Sequence, residues 1–144
     1  MTVSFLLDTN ILLAYLRYNL LGRYIEATYG LDQLQTPPII SVVTEGEVRA
    51  FALKRGWGVR KIADMERRIA ALDVVPLPIL TVIDAYARID NYCTRGGFVL
   101  SKNDLWIAAT AHATGTTILT TDRDFDPLHG LFLQREWVDP DHRA

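Results

Sequence analysis

The sequence predicts an α/β fold of three layers, with helices on both faces of a central, mostly parallel sheet of five strands. Three observations carry this. Short apolar runs alternate with longer stretches of helical period along the whole chain. The run "TTILTT" at 116–121 is β-branched, as a buried strand requires. The 144 residues, 49% of them hydrophobic, suffice for a sizeable core and contain no repeat, low-complexity segment or long linker, so residues 1–144 read as a single domain.

In chain order, "VSFLLD" at 3–8 reads as a buried strand, and 9–18 as a helix started by a Thr/Asn cap. A second, less periodic helix covers 21–31, Pro37 and Pro38 punctuate, and 39–41 form a short apolar strand. Helix then covers 42–55 and stops at Gly56 and Gly58, around Trp57. The stretch 59–72 is amphipathic, with Val59, Ile62, Met65, Ile69 and Leu72 at helical spacing. "DVVPL" at 73–77 is the third strand, followed by a helix over 79–93 that ends at Gly96-Gly97. Residues 102–114 form the last helix, stopped by Gly115. After "TTILTT" comes the turn "DRDFDPLHG", and "LFLQ" at 131–134 is expected as the final edge strand. Crossovers between parallel strands are expected to be right-handed.

A net charge of −2 excludes a surface that binds nucleic acid by bulk charge, so such a partner would need metal ions or local Arg/Lys clusters. The single Cys93 excludes an internal disulfide and suits a reducing compartment. No signal-like segment and no apolar run of membrane-spanning length is present, so a cytoplasmic protein with no membrane partner is expected.

Ligands of open α/β sheets bind beyond the carboxyl ends of the strands, where strand order reverses. Asp8 follows the first strand, Glu47 lies one to two helical turns after the second, and Asp122 follows the fourth. Asp104 opens the helix leading into that strand, and Asp124 and Asp126 share its turn with Asp122. If three strands are laid outward from the first on one side and the last two on the other, Asp8 and Asp122 flank the crevice between strands one and four. Carboxylates meeting there would repel one another unless hard divalent cations offset the charge. An oxygen-only donor set favours Mg²⁺ or Mn²⁺, and no His/Cys set argues for zinc. Each acid also has a plainer reading. Asp8 or Thr9 caps a helix, Thr44 to Glu47 and Ser101 to Asp104 fit capping boxes, and Asp122 is a turn residue. Those readings do not explain why an acid follows nearly every strand on one edge.

"LLDTN", "ISVVTEGEV", "KNDLWIAATA" and "ILTTDRDFD" together resemble, in order and spacing, the four acidic motifs of PIN-domain ribonucleases, and most of all the small VapC-type toxins of toxin–antitoxin pairs. The resemblance spans nearly the whole chain. It implies a sheet of order 3-2-1-4-5 and a Mg²⁺- or Mn²⁺-dependent endoribonuclease, the toxin of a type II pair. Its partners would be an RNA substrate, a small antitoxin and a second copy in a homodimer. Asp8, Glu47, Asp104 and Asp122 take the four acidic positions, as catalytic residues and metal ligands. Asp124 or Asp126 could share or replace the role of Asp122, and Glu45 rivals Glu47 from another helix face. Thr9 and Asn10 fall in the first motif, where the Thr9 hydroxyl could orient Asp8. Asn103, Lys102, Arg49 and Arg123 are candidate phosphate contacts.

Other residues keep two readings. His112 lies two turns after Asp104 on one helix face, suited to proton transfer or to packing. Tyr15, Tyr18, Tyr24 and Tyr29 suit either a core or a dimer or antitoxin surface, Trp57 an exposed loop, and Cys93 a small core position. Two rival functions remain. One is a non-catalytic binding module on the PIN scaffold. The other is an Asp-based phosphatase or phosphoryl-transfer protein, although the phosphatases expect a second acid where this chain has Asn10.

Overall fold

The computed structural model describes residues 4–76 and 79–142. The predicted strand ends at Val3 and Leu77 lie outside the described residues. Five strands, β1 (Phe5–Leu7), β2 (Ile39–Ser41), β3 (Asp73–Val75), β4 (Thr117–Thr120) and β5 (Gln134–Trp137), form one sheet of order β3-β2-β1-β4-β5. Every neighbouring pair is parallel, the final strand included. The helices are α1 (Thr9–Arg17), α2 (Leu20–Tyr29), α3 (Val42–Lys54), α4 (Val59–Ala70), α5 (Leu80–Gly96) and α6 (Lys102–Thr114).

The three central strands are buried on both faces and mostly apolar, β2 ending in Ser41 and β4 flanked by Thr117 and Thr120. Side chains alternate across the pleat. Phe5, Leu7, Ile40 and Leu119 therefore pack into one cluster with Ile11, Leu12, Val48, Met65 and Ile69 of α1, α3 and α4. Their neighbours Leu6, Ile39 and Ile118 pack into another, with Ile89 and Cys93 of α5 and Leu105, Ile107 and Ala108 of α6. Cys93 is thus the core residue expected. Trp57 is not a free loop side chain: it is half-buried against the first cluster, edge-on to Phe51.

Local chemistry sets the helix ends. Asp8, Asn19, Ser41 and Ser101 each accept a hydrogen bond from a backbone amide at a helix start. The capping residue of α1 is therefore Asp8, not Thr9 or Asn10. Ser41 caps α3, which puts Thr44 inside the helix and removes the Thr44–Glu47 capping box. Gly22 lets α2 approach α1, since a Cβ there would lie 2.1 Å from the Ala14 carbonyl oxygen.

The final strand differs from expectation. Residues 131–134 do not form it, apart from Gln134. The amides of Leu131 and Phe132 donate to the Leu128 carbonyl, and that of Gly130 donates to the Leu133 carbonyl. The segment is folded back on itself and cannot extend until Gln134. Leu128, fully buried, and Leu133 anchor this knot in the second cluster. The true strand, "QREW", alternates exposed and half-buried residues as an edge strand does, but holds too few apolar residues to stand out.

Candidate metal centre

The chain proceeds from β1 outward to β2 and β3, then returns to the other side of β1 with β4 and β5. The order reverses between β1 and β4, paired from Phe5–Thr117 to Leu7–Leu119. The carboxyl ends of these two strands open onto a crevice that receives the N-termini of α1, α3 and α6.

Asp8 sits at its floor, only 5% exposed. Its Oδ1 accepts from the Thr9 amide at 2.8 Å and its Oδ2 from the Thr120 hydroxyl at 2.7 Å. The same side chain that caps α1 thus lies at the floor of the crevice, so the cap does not compete with a place in the acidic cluster. Burial, with Asp122 and Glu47 adding repulsion, raises its pKa, opposed by those two hydrogen bonds.

Asp104, in the first turn of α6, has its amide bonded to Ser101 Oγ at 3.1 Å. Carboxylate oxygens of Asp104, Asp122 and Asp124 all lie within 4.8 Å of one another. Burial and the charges of Asp8, Asp122 and Asp124 push the Asp104 pKa up to about 6. Asp124 is also raised, by burial and by Asp122. The loop carrying them is held from within and below. The Asp124 amide donates to Asp122 Oδ1 and the Asp122 amide to Thr120 Oγ1, both at 2.9 Å. Phe125 is fully buried beneath.

Glu47 is bound at both oxygens. Oε1 accepts from the Thr9 hydroxyl at 2.7 Å and Oε2 from the Asn103 amide at 3.2 Å. The Thr9 hydroxyl thus orients Glu47, not Asp8, and Asn103 is committed to the same carboxylate. Several other candidates are engaged by neighbours or are exposed. Asp126 is taken by Arg135 at 2.8 Å, with Arg123 at 3.6 Å. The Arg123 guanidinium carbon lies over Trp137, 3.9 Å from the ring centre. Glu45 and Glu66 both hold Arg49. Asn10 and Lys102 are exposed. His112 binds the Phe132 carbonyl at 2.6 Å, about 12 Å along α6 from Asp104, and serves the knot before β5. Tyr15, Tyr24 and Tyr29 make contacts within the chain, to Asp32, His142, and Phe5 with Glu136; Tyr18 is half exposed.

Thr120 was not legible as a site residue. Fully buried, its hydroxyl donates to Asp8 and accepts from the Asp122 amide. The available signal was a hydroxyl ending a strand directly before the acidic loop.

The donor set suits a hard divalent cation. Asp104, Asp122 and Asp124 converge with Asp8 close by, all offering oxygen, and no ion pair to any of these four is present among the described residues.

A protein-family model described as PIN domain matches residues 5–130. No curated protein sequence matches the chain. Solved structures with a similar fold include VapBC2 from Rickettsia felis bound to a DNA fragment from its promoter, with TM-score 0.79, 19% identity and 95% of this chain and 100% of that one covered. VapBC-1 from nontypeable Haemophilus influenzae gives TM-score 0.73 and 24% identity, over 94% of this chain and 98% of that one. FitAcB from Neisseria gonorrhoeae gives 0.72 and 24%, over 91% and 95%. At these identities the likeness is one of fold.

Proposed function

The chain belongs to the PIN domain family, and on that premise we propose that it is a metal-dependent endoribonuclease, the VapC-type toxin of a type II toxin–antitoxin pair. The observation that carries the reading is the convergence of Asp104, Asp122 and Asp124 beside the buried Asp8, none of them ion-paired with a basic side chain among the described residues. Structures named as a toxin–antitoxin complex or as a member of a toxin–antitoxin family share the fold, which supports an antitoxin partner.

Asp8, Asp104, Asp122 and Asp124 would hold Mg²⁺ or Mn²⁺. When bound, such an ion lowers the pKa of water, neutralises phosphate charge and stabilises a leaving oxygen. Asp8 is kept oriented by Thr120 and the Thr9 amide. Glu47, held at both oxygens, is a fixed acceptor on the crevice wall, able to orient a water or take its proton. Asp104 gives up its proton only as pH rises through about 6, well above the usual carboxylate range, so below that pH ion binding and deprotonation of Asp104 are linked. We further propose that the protein acts in the cytoplasm and as a homodimer. No helix of the described residues is long and apolar enough to cross a membrane. The phosphoryl-transfer alternative is disfavoured by Asn10, an exposed amide where a second acid would be needed.

The test is incubation of the purified protein with total RNA, with and without Mn²⁺, and mapping of cut ends. Defined internal cuts that require the metal are expected. Intact RNA at all metal concentrations, together with no metal-induced rise in Tm, would leave the non-catalytic module. Light scattering showing only monomer at high concentration would remove the dimer.

A further inference from the structure

The charge of this chain is unevenly spread. Residues 48–63 hold five cations and no acid, in a chain whose net charge is −2. Arg49 is ion-paired with Glu45 and Glu66, whereas Lys54, Arg55, Arg60 and Lys61 have no ion pair among the described residues and are all exposed. These four surround the connection from α3 to α4. Its centre is aromatic: Phe51 and Trp57 meet edge-on, with ring centres 6.0 Å apart. Guanidinium groups of Arg17 and Arg55 lie over Phe51 at 5.8 and 5.0 Å, and the Lys61 ammonium over Trp57 at 4.9 Å.

The position follows from helix geometry. α1 and α3 are tied at the crevice by the Thr9–Glu47 hydrogen bond. They are joined again farther along, where Arg17 meets Phe51. Lys54 is seven residues beyond Glu47, so it lies on the same face of α3, about 10 Å along the axis. The patch is thus continuous with the wall of the crevice.

We propose that this cationic, aromatic-centred patch is a docking surface for single-stranded RNA, holding the strand beside the crevice in which it is cut. The claim rests on the ribonuclease reading for its ligand. Clustered cations attract the phosphate backbone and release its counterions, while the guanidinium planes of Arg17 and Arg55, laid against Phe51, offer stacking surfaces to bases without sequence preference. The acidic crevice repels the same backbone. An anchor outside it therefore supplies attraction that the metal centre alone provides only locally.

The experiment compares Lys54→Gln/Arg55→Gln with Arg88→Gln/Arg95→Gln, which removes the same charge from α5 on the opposite face of the sheet. Both sites are exposed. Binding of a fluorescent 20-nucleotide poly(U) RNA is read by anisotropy, in EDTA so that no cleavage intervenes, over a series of salt concentrations. For Lys54→Gln/Arg55→Gln we expect Kd to rise at least tenfold at low salt. The slope of log K against log salt should fall by about 1.4, two contacts at about 0.7 each. Equal effects of the two pairs, or none from the first, would overturn the patch. The outcome is separable from that of the nuclease reading. RNA held through the patch but never cut by the wild type retains the surface and removes the enzyme. Normal metal-dependent cleavage with unaltered binding does the reverse.

Discussion

On the outer side of α3 and α4, Glu45 and Glu66 share Arg49, and Asp64 holds Arg67 and Arg68; in the crevice beside α3, Asp104, Asp122 and Asp124 crowd together with no ion pair among the described residues. The residue types are the same and the consequences opposite. Arg49 draws the pKa of Glu66 down, while burial and repulsion push Asp104 and Asp124 up. On a helix surface an acid finds a basic partner three or four residues away, at little energetic consequence. In the crevice the acids arrive from α6 and from the loop after β4, onto an Asp8 already buried at the end of β1. None can be paired by sequence neighbours. Unbalanced charge retained at a strand edge points to a ligand that brings the opposite charge.

The sharpest way to break the comparison is Asp8→Asn. Asn caps a helix about as well as Asp. Loss of one charge from a crowded site should leave Tm without metal equal or higher, while RNA cleavage falls at least about 100-fold and metal-induced stabilisation is lost. Wild-type cleavage by this variant would reduce Asp8 to a cap. Next in size is Thr120→Val, which keeps shape but removes the hydroxyl between Asp8 and the Asp122 amide. It should cost about 1–3 kcal/mol of stability and about 10- to 100-fold in metal affinity. Calorimetric titration with Mn²⁺ and urea melts would read both.

A smaller effect concerns pH. Asp104 has its pKa raised from 3.8 to about 6, so folding disfavours its charged form. Its stabilising contribution is full below about pH 3.8 and is lost as pH rises through about 6. The metal-free protein should therefore melt higher at pH 5 than at pH 8, and saturating Mn²⁺ should abolish or invert the difference. A metal-free Tm that climbs steadily across this range would contradict the crowding of the crevice. The smallest effect is expected on the paired side. Arg49→Gln should move Tm by no more than about 3 °C and leave Mn²⁺ affinity unchanged.

Much of the acidic cluster was legible because strand ends and helix starts can be read locally. Apolar runs ending in Asp8 and before Asp122, and the cap Ser101 ahead of Asp104, place three acids on one edge once the sheet is parallel. What could not be read was partnership. Thr9 reaches Glu47, 38 residues away, Asn103 reaches it across 56, and Thr120 reaches Asp8 across 112. No spacing rule covers such distances.

The sequence by itself determined the alternation of strands and helices, the burial of the central strands on both faces and the edge to which the acids belong. These follow from periodicity and capping, which act over a few residues. Only the tertiary structure decided that Asp124 joins Asp122 while Asp126 does not. Arg135 of β5 comes beside Asp126 because the knot at 128–133 delays that strand to Gln134. It also decided that scattered Arg17, Phe51 and Lys61 share one corner with the α3–α4 connection. The physical reason is common to both: charge acts through space, and which charges meet is set by the packing of segments distant in the chain.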